Sequence, residues 1–137
     1  MTTATGLTHR PLYDSTDSLL RFAMRADATL TGLCGLAVAF VADPLSSLTG
    51  LSSGVEYALG AFFVLCGLVV FSLAALPNLR RAGIVVVAAN IVCTLAAIVA
   101  AEAVPMTATG VAATLASGVY TAAFAGLQYL GVRRLAA

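Results

Sequence analysis

Residues 21–27 read Arg-Phe-Ala-Met-Arg-Ala-Asp and lead directly into an almost uncharged run over residues 28–42. A single helix needs about 20 predominantly apolar residues to cross hydrocarbon, so this run reads as a membrane span entered from an arginine-bearing side. It is too long for the apolar segment of a signal peptide, and it ends in Asp43-Pro44 rather than at a small-residue cleavage site. The span is therefore expected to be retained, and the rest of the chain has to fit around its orientation.

The composition agrees with a chain immersed in lipid. Of 137 residues, 61% are hydrophobic and 9% charged, and the mean hydropathy is +1.01. So few charges cannot solvate the surface of a water-soluble globule of this size. Membrane barrels show alternating strands with aromatic girdles; here the apolar residues come in unbroken Ala, Val, Leu and Gly runs, and Trp is absent. Helices, which satisfy their own backbone hydrogen bonds in lipid, are the better expectation. The net charge of +1, the absence of Lys and the dispersed arginines give no basis for a nucleic-acid partner.

Taken in order, residues 1–13 lack an apolar period and are expected to form a cytoplasmic tail. Residues 14–134 then form one transmembrane domain, an all-α antiparallel bundle with spans at about 19–42, 55–76, 82–104 and 107–131. Asp14, Ser15 and Thr16 offer oxygens to cap the first helix. Asp43-Pro44 should stop it, because the residue before a proline is pushed out of helical geometry. Residues 45–54, rich in Ser and Gly, suit a short loop or interfacial turn. Residues 77–81 leave room only for a tight turn, so the second and third spans are expected to pair as a hairpin. A short echo, Leu33-Cys34-Gly35-Leu36 against Leu65-Cys66-Gly67-Leu68, is read as chance, because Leu, Cys and Gly are common in spans.

With four spans, Arg10, Arg21, Arg25, Arg80, Arg81, Arg133 and Arg134 all fall on one side, and Asp43, Glu56 and Glu102 on the other. The positive-inside rule then places both termini in the cytoplasm of a multi-pass protein.

Asp27 is the carboxylate set well inside an apolar boundary, where an ionisable group is costly unless paired or hydrated. Arg80, Arg81 and Arg133 lie on the same side as possible ion-pair partners. Asn90, Gln128 and Ser72 fall at similar depth on the other three spans, so Asp27, Ser72, Asn90 and Gln128 are expected to meet in one intramembrane polar cluster. Such contacts contribute about 0.6 to 2 kcal/mol each in membranes. The same cluster would also suit a small cytoplasm-facing cavity. On the fourth span, Gly110, Thr114, Ser117, Thr121, Ala125 and Gln128 form a small and hydroxyl stripe. Beside it Gly118, Ala122 and Gly126 repeat a small-xxx-small pattern suited to helix packing, within the bundle or against another protein.

Chemistry beyond packing finds little support. Cys34, Cys66 and Cys93 lie within apolar runs, and no His accompanies them, so no metal site is expected. His9 alone cannot supply the paired axial ligands of a membrane haem, and no cofactor is expected. No nucleophile–base pair, phosphate loop or metal-ligand spacing such as His-Glu-x-x-His is visible, and an enzyme is not expected.

Leu20-Arg21-x-x-x-Arg25-x-Asp27 leading into Thr31-Gly32-x-x-Gly35, then Ala89-Asn90, then Gln128 ahead of Arg133-Arg134, resembles small four-helix integral membrane proteins of actinobacteria that carry no assigned activity. The resemblance covers nearly the whole chain and implies a plasma-membrane location. Disulfide-forming quinone reductases, by contrast, need loop cysteines, and small multidrug transporters use a deep Glu among aromatics. Two functions are compatible with the residues. An accessory or scaffold subunit of a larger plasma-membrane complex is favoured by minimal loops, no soluble domain and many small-residue faces. The alternative is an oligomeric small transporter or lipophile-binding protein with Asp27 as its coupling acid. Expected partners are the lipid bilayer and another membrane protein or a second copy.

Overall fold

The computed structural model describes residues 15–135; the tail expected at 1–13, with Asp14, lies outside them. Five helices make up this part of the chain: α1 (Ser15–Phe40), α2 (Ala42–Thr49), α3 (Ser53–Leu73), α4 (Arg80–Ala103) and α5 (Ala108–Leu135). No strand occurs among the described residues. Four of the five are long and apolar enough to cross a membrane, with α2 the exception. The large apolar side chains they expose, among them Phe40, Phe62, Leu68, Val92 and Val99, would be costly in water and are at home in lipid.

Helix α1 sits centrally, packed against α3 on one side and α5 on another, while α5 also packs against α4. The hairpin expected between the second and third spans does not pair closely: α3 and α4 follow each other across a short turn yet scarcely touch. The reason lies in side-chain size. Along α1 and α3, glycines allow an approach that no other residue permits: a Cβ on Gly35 would lie 2.5 Å from the Gly60 carbonyl oxygen, and one on Gly60 2.7 Å from that of Gly35. A Cβ on Gly67 would meet the Ala28 carbonyl oxygen at 2.7 Å. In lipid, close backbone approach is a main source of helix association, and α3 spends its small face on α1. Gly35 and Gly67, the two glycines of the repeated Leu-Cys-Gly-Leu, thus line the same interface.

At the arginine-bearing end, Leu20 and Met24 of α1 pack with Ala74, Leu79, Ala82, Val86 and Val132 in an apolar plug that joins α1, α4, α5 and the turn after α3. Arg21 closes it from above. Its guanidinium donates to the carbonyls of Ala74 at 2.7 Å and Leu76 at 3.0 Å, satisfying acceptors left open where α3 ends, and pairs with Asp17 at 2.9 Å.

The opposite end differs from expectation in one respect. Asp43-Pro44 does not end the first span; the break falls at Val41 (φ −113°, ψ 24°), and Pro44 sits inside the first turn of α2. A proline is tolerated there because first-turn N–H groups have no intrahelical acceptor. Residues expected to form a loop are thus largely helical. Gly50, with φ 82°, ends α2 in left-handed geometry and donates its N–H to Ser46. The Thr107 N–H donates to the Thr49 carbonyl at 2.9 Å, and the Thr107 hydroxyl donates to Leu48, which tie α2 to the start of α5.

Candidate functional site: an intramembrane carboxylate

Asp27 lies near the middle of the 26-residue α1 and is 5% exposed. Its carboxylate accepts from three helices. On Oδ2, Asn90 of α4 donates through Nδ2 at 2.9 Å and Gln128 of α5 through Nε2 at 2.8 Å. On Oδ1, the hydroxyl of Thr31, one turn along α1, donates at 3.0 Å and the Tyr120 hydroxyl of α5 at 3.1 Å. The second Asn90 Nδ2 proton goes to Gln128 Oε1 at 2.8 Å, so the two amides also hold each other.

Proton counting constrains the hydroxyls. Thr31 and Tyr120 lie 3.0 Å apart, and Tyr120 also approaches the Asp27 backbone carbonyl at 3.1 Å. Each hydroxyl carries one proton, so only some of these contacts are hydrogen bonds at any instant. With two donors on each oxygen, the carboxylate uses the approximately four acceptor directions it has. Gln128 is fully buried and Asn90 8% exposed. Among the described residues no buried side-chain nitrogen or oxygen lacks a partner. This is the condition under which a buried polar network rigidifies a structure rather than weakening it. A smaller hydroxyl group extends it along the α4–α5 seam: Thr94 donates to the Asn90 carbonyl at 2.9 Å and lies 2.7 Å from the Thr121 hydroxyl.

The structure brings Asp27, Asn90 and Gln128 together and leaves Ser72 out. Ser72 is exposed and returns its hydroxyl to the Leu68 carbonyl one turn back at 2.8 Å, a self-satisfied arrangement common for serine in membrane helices. The cluster therefore unites three spans, and α3 is held by glycine contact instead. Nor do Arg80, Arg81 or Arg133 pair with Asp27. They stand at helix ends while Asp27 is mid-helix, and neutral amide and hydroxyl donors take the place of a guanidinium. Among the described residues the ion pair present is Arg21–Asp17; Arg133 instead lies over the Tyr129 ring at 6.0 Å.

Of the small-xxx-small face, Gly118 alone is buried, facing Ala97 of α4; Ala122 and Gly126 are exposed, and a Cβ on Gly126 would meet nothing within 4 Å. On the neighbouring stripe, Gly110, Ala125 and Gln128 are buried, Thr114 and Thr121 half-buried, and Ser117 exposed. Thr31 and Tyr120 were not part of the expected cluster. Their signal was available as helical spacing: Thr31 lies one turn after Asp27, and Tyr120 two turns before Gln128 on the same face.

A second acid is also buried. Glu56, expected at the opposite membrane face, is 3% exposed in the first turn of α3, with the Thr49 hydroxyl 3.5 Å away. No group of three or more His, Cys, Asp or Glu suited to a metal ion occurs among the described residues. Comparison with protein-family models, with curated proteins and with solved structures finds no match.

Proposed function

We propose that this protein is a non-enzymatic accessory or scaffold subunit of a larger plasma-membrane complex, with both termini in the cytoplasm. The observation that carries the reading is the saturation of the Asp27 carboxylate. A coupling acid in a transporter has to release its proton partners and meet water or substrate during its cycle. Here Asp27 accepts from four side chains on three helices and is almost wholly buried. That arrangement suits a pin that fixes three spans in register. The Thr31 and Tyr120 hydroxyls are engaged in holding it, which also argues against an activated nucleophile.

The short connections support the same reading, since they leave helix surface as the main thing offered to a partner. Helix α3 is secured to α1 along one side, and much of α3 and α4 is exposed beyond the bundle's own contacts. The cytoplasmic assignment rests on the arginines. Arg21 reaches the end of α3, Arg80 and Arg81 begin α4, and Arg133 and Arg134 end α5, all at one end of the bundle. The resemblance to actinobacterial membrane proteins supports the plasma membrane as the location.

Mild extraction from native membranes tests the proposal. The wild type is expected to co-migrate with a larger complex, and Asp27→Asn to be depleted from it in parallel with loss of stability. A free homodimer whose Asp27→Asn variant assembles normally but loses proton-coupled substrate movement would establish the transporter instead.

A further inference from the structure

At the arginine-bearing end, a cleft of about 500 Å³ is lined by Leu76, Asn78, Arg80, Arg81 and Ala82. It opens where α3 has ended and α4 begins, beside the two helices that scarcely touch. Its charge is unbalanced. Arg80 and Arg81 are exposed, and no carboxylate among the described residues lies within ion-pair distance of either. They also stand in the first turn of α4, which holds no acidic residue. The helix macrodipole is positive at that end, so cations there repel it. Of the other described arginines, Arg25 is exposed within α1 and lines no part of the cleft, and the remaining three are better placed. Arg21 is bound to Asp17 and two carbonyls, while Arg133 and Arg134 sit in the last turn of α5, where the dipole favours them.

We propose that this cleft binds the headgroup phosphate of an anionic phospholipid, with Arg80 and Arg81 on its oxygens and the acyl chains following the seam between α3 and α4. Guanidinium groups match phosphate with paired hydrogen bonds. Basic pockets between membrane helices are a recognised setting for anionic headgroups. Leu76 and Ala82 give the cleft an apolar part to its lining, which a free phosphate would not use and a lipid glycerol backbone would. The bound anion offsets the charge that the sequence places against the α4 dipole.

The test titrates the purified full chain in detergent with phosphatidylglycerol, phosphatidylcholine or inorganic phosphate, reading lipid adducts by native mass spectrometry and the thermal unfolding midpoint. Phosphatidylglycerol is expected to bind and stabilise at about tenfold lower concentration than phosphatidylcholine, and inorganic phosphate to do neither. Arg80→Gln/Arg81→Gln is expected to lose that preference. Arg133→Gln/Arg134→Gln, which removes as much charge from the same end, is expected to keep it. Equal loss in both double variants would mean general attraction to a basic surface and would overturn the site. Equal binding of phosphatidylcholine would overturn it too, as would inorganic phosphate reproducing the stabilisation. If circular dichroism shows that the glutamine variant fails to fold, Arg80→Lys/Arg81→Lys retains the charge without the planar fork. It should bind phosphatidylglycerol about fivefold more weakly, and wild-type binding would count against the proposal.

Discussion

At Asp27 one carboxylate organises side chains from three helices, and its substitutions should reveal that coupling. Asp27→Asn keeps the shape but places an NH2 group among donors, so two of the four acceptances are lost. The expected cost is about 1–3 kcal/mol, read as a lower thermal unfolding midpoint in detergent. Gln128→Leu should cost a similar amount. Because both remove parts of one network, the double variant should fall short of the sum by about 0.5–3 kcal/mol, whereas additive losses would show that the contacts are independent. Ser72→Ala is expected to stay within about 0.5 kcal/mol of wild type, since its hydroxyl serves only its own helix. Asn90 and Gln128 were legible in the sequence because strong polar groups are rare in spans and their depths coincide. Ser72 was misread because depth says nothing about which way a side chain faces. Tyr120 was missed because a tyrosine within a span reads as apolar bulk until its hydroxyl is seen to have a partner.

Among the helices, the α1–α3 pair depends on absent side chains, which makes it the most sensitive contact to small additions. Gly60→Ala would drive a methyl group against the Gly35 carbonyl oxygen at 2.7 Å, and the helices must move apart at an expected cost of about 1–3 kcal/mol. Gly126→Ala, with open space around it, should be neutral or stabilise slightly by helix propensity. Comparing the two unfolding midpoints separates the interface glycine from the lipid-facing one; equal effects would contradict the packing described. The existence and approximate limits of the four spans followed from apolar run length, a property of the hydrocarbon rather than of tertiary contacts. Which helices touch did not follow. Chain proximity suggested that α3 pairs with α4, but the glycines of α3 match those of α1. At the other end, the Asp43-Pro44 rule placed the break slightly late, because proline is admitted in a helix's first turn and Val41 had already left helical geometry.

Across the whole molecule, two ends of different character frame the bundle: one holds Arg21, Arg80, Arg81, Arg133 and Arg134, and the other is closed by α2 and the start of α5. The Asp27 pin, the apolar plug around Leu20 and the lipid cleft all require that α1 and α4 begin, and α3 and α5 end, at the arginine-bearing end. Cysteines introduced singly at the exposed positions Ser52, Asn78, Pro105 and Arg134, in a background lacking Cys34, Cys66 and Cys93, test that arrangement directly in intact cells. A membrane-impermeant maleimide is expected to label positions 52 and 105 from outside, and positions 78 and 134 only after permeabilisation. Labelling of positions 52 and 78 from the same side would contradict the four crossings on which the account rests.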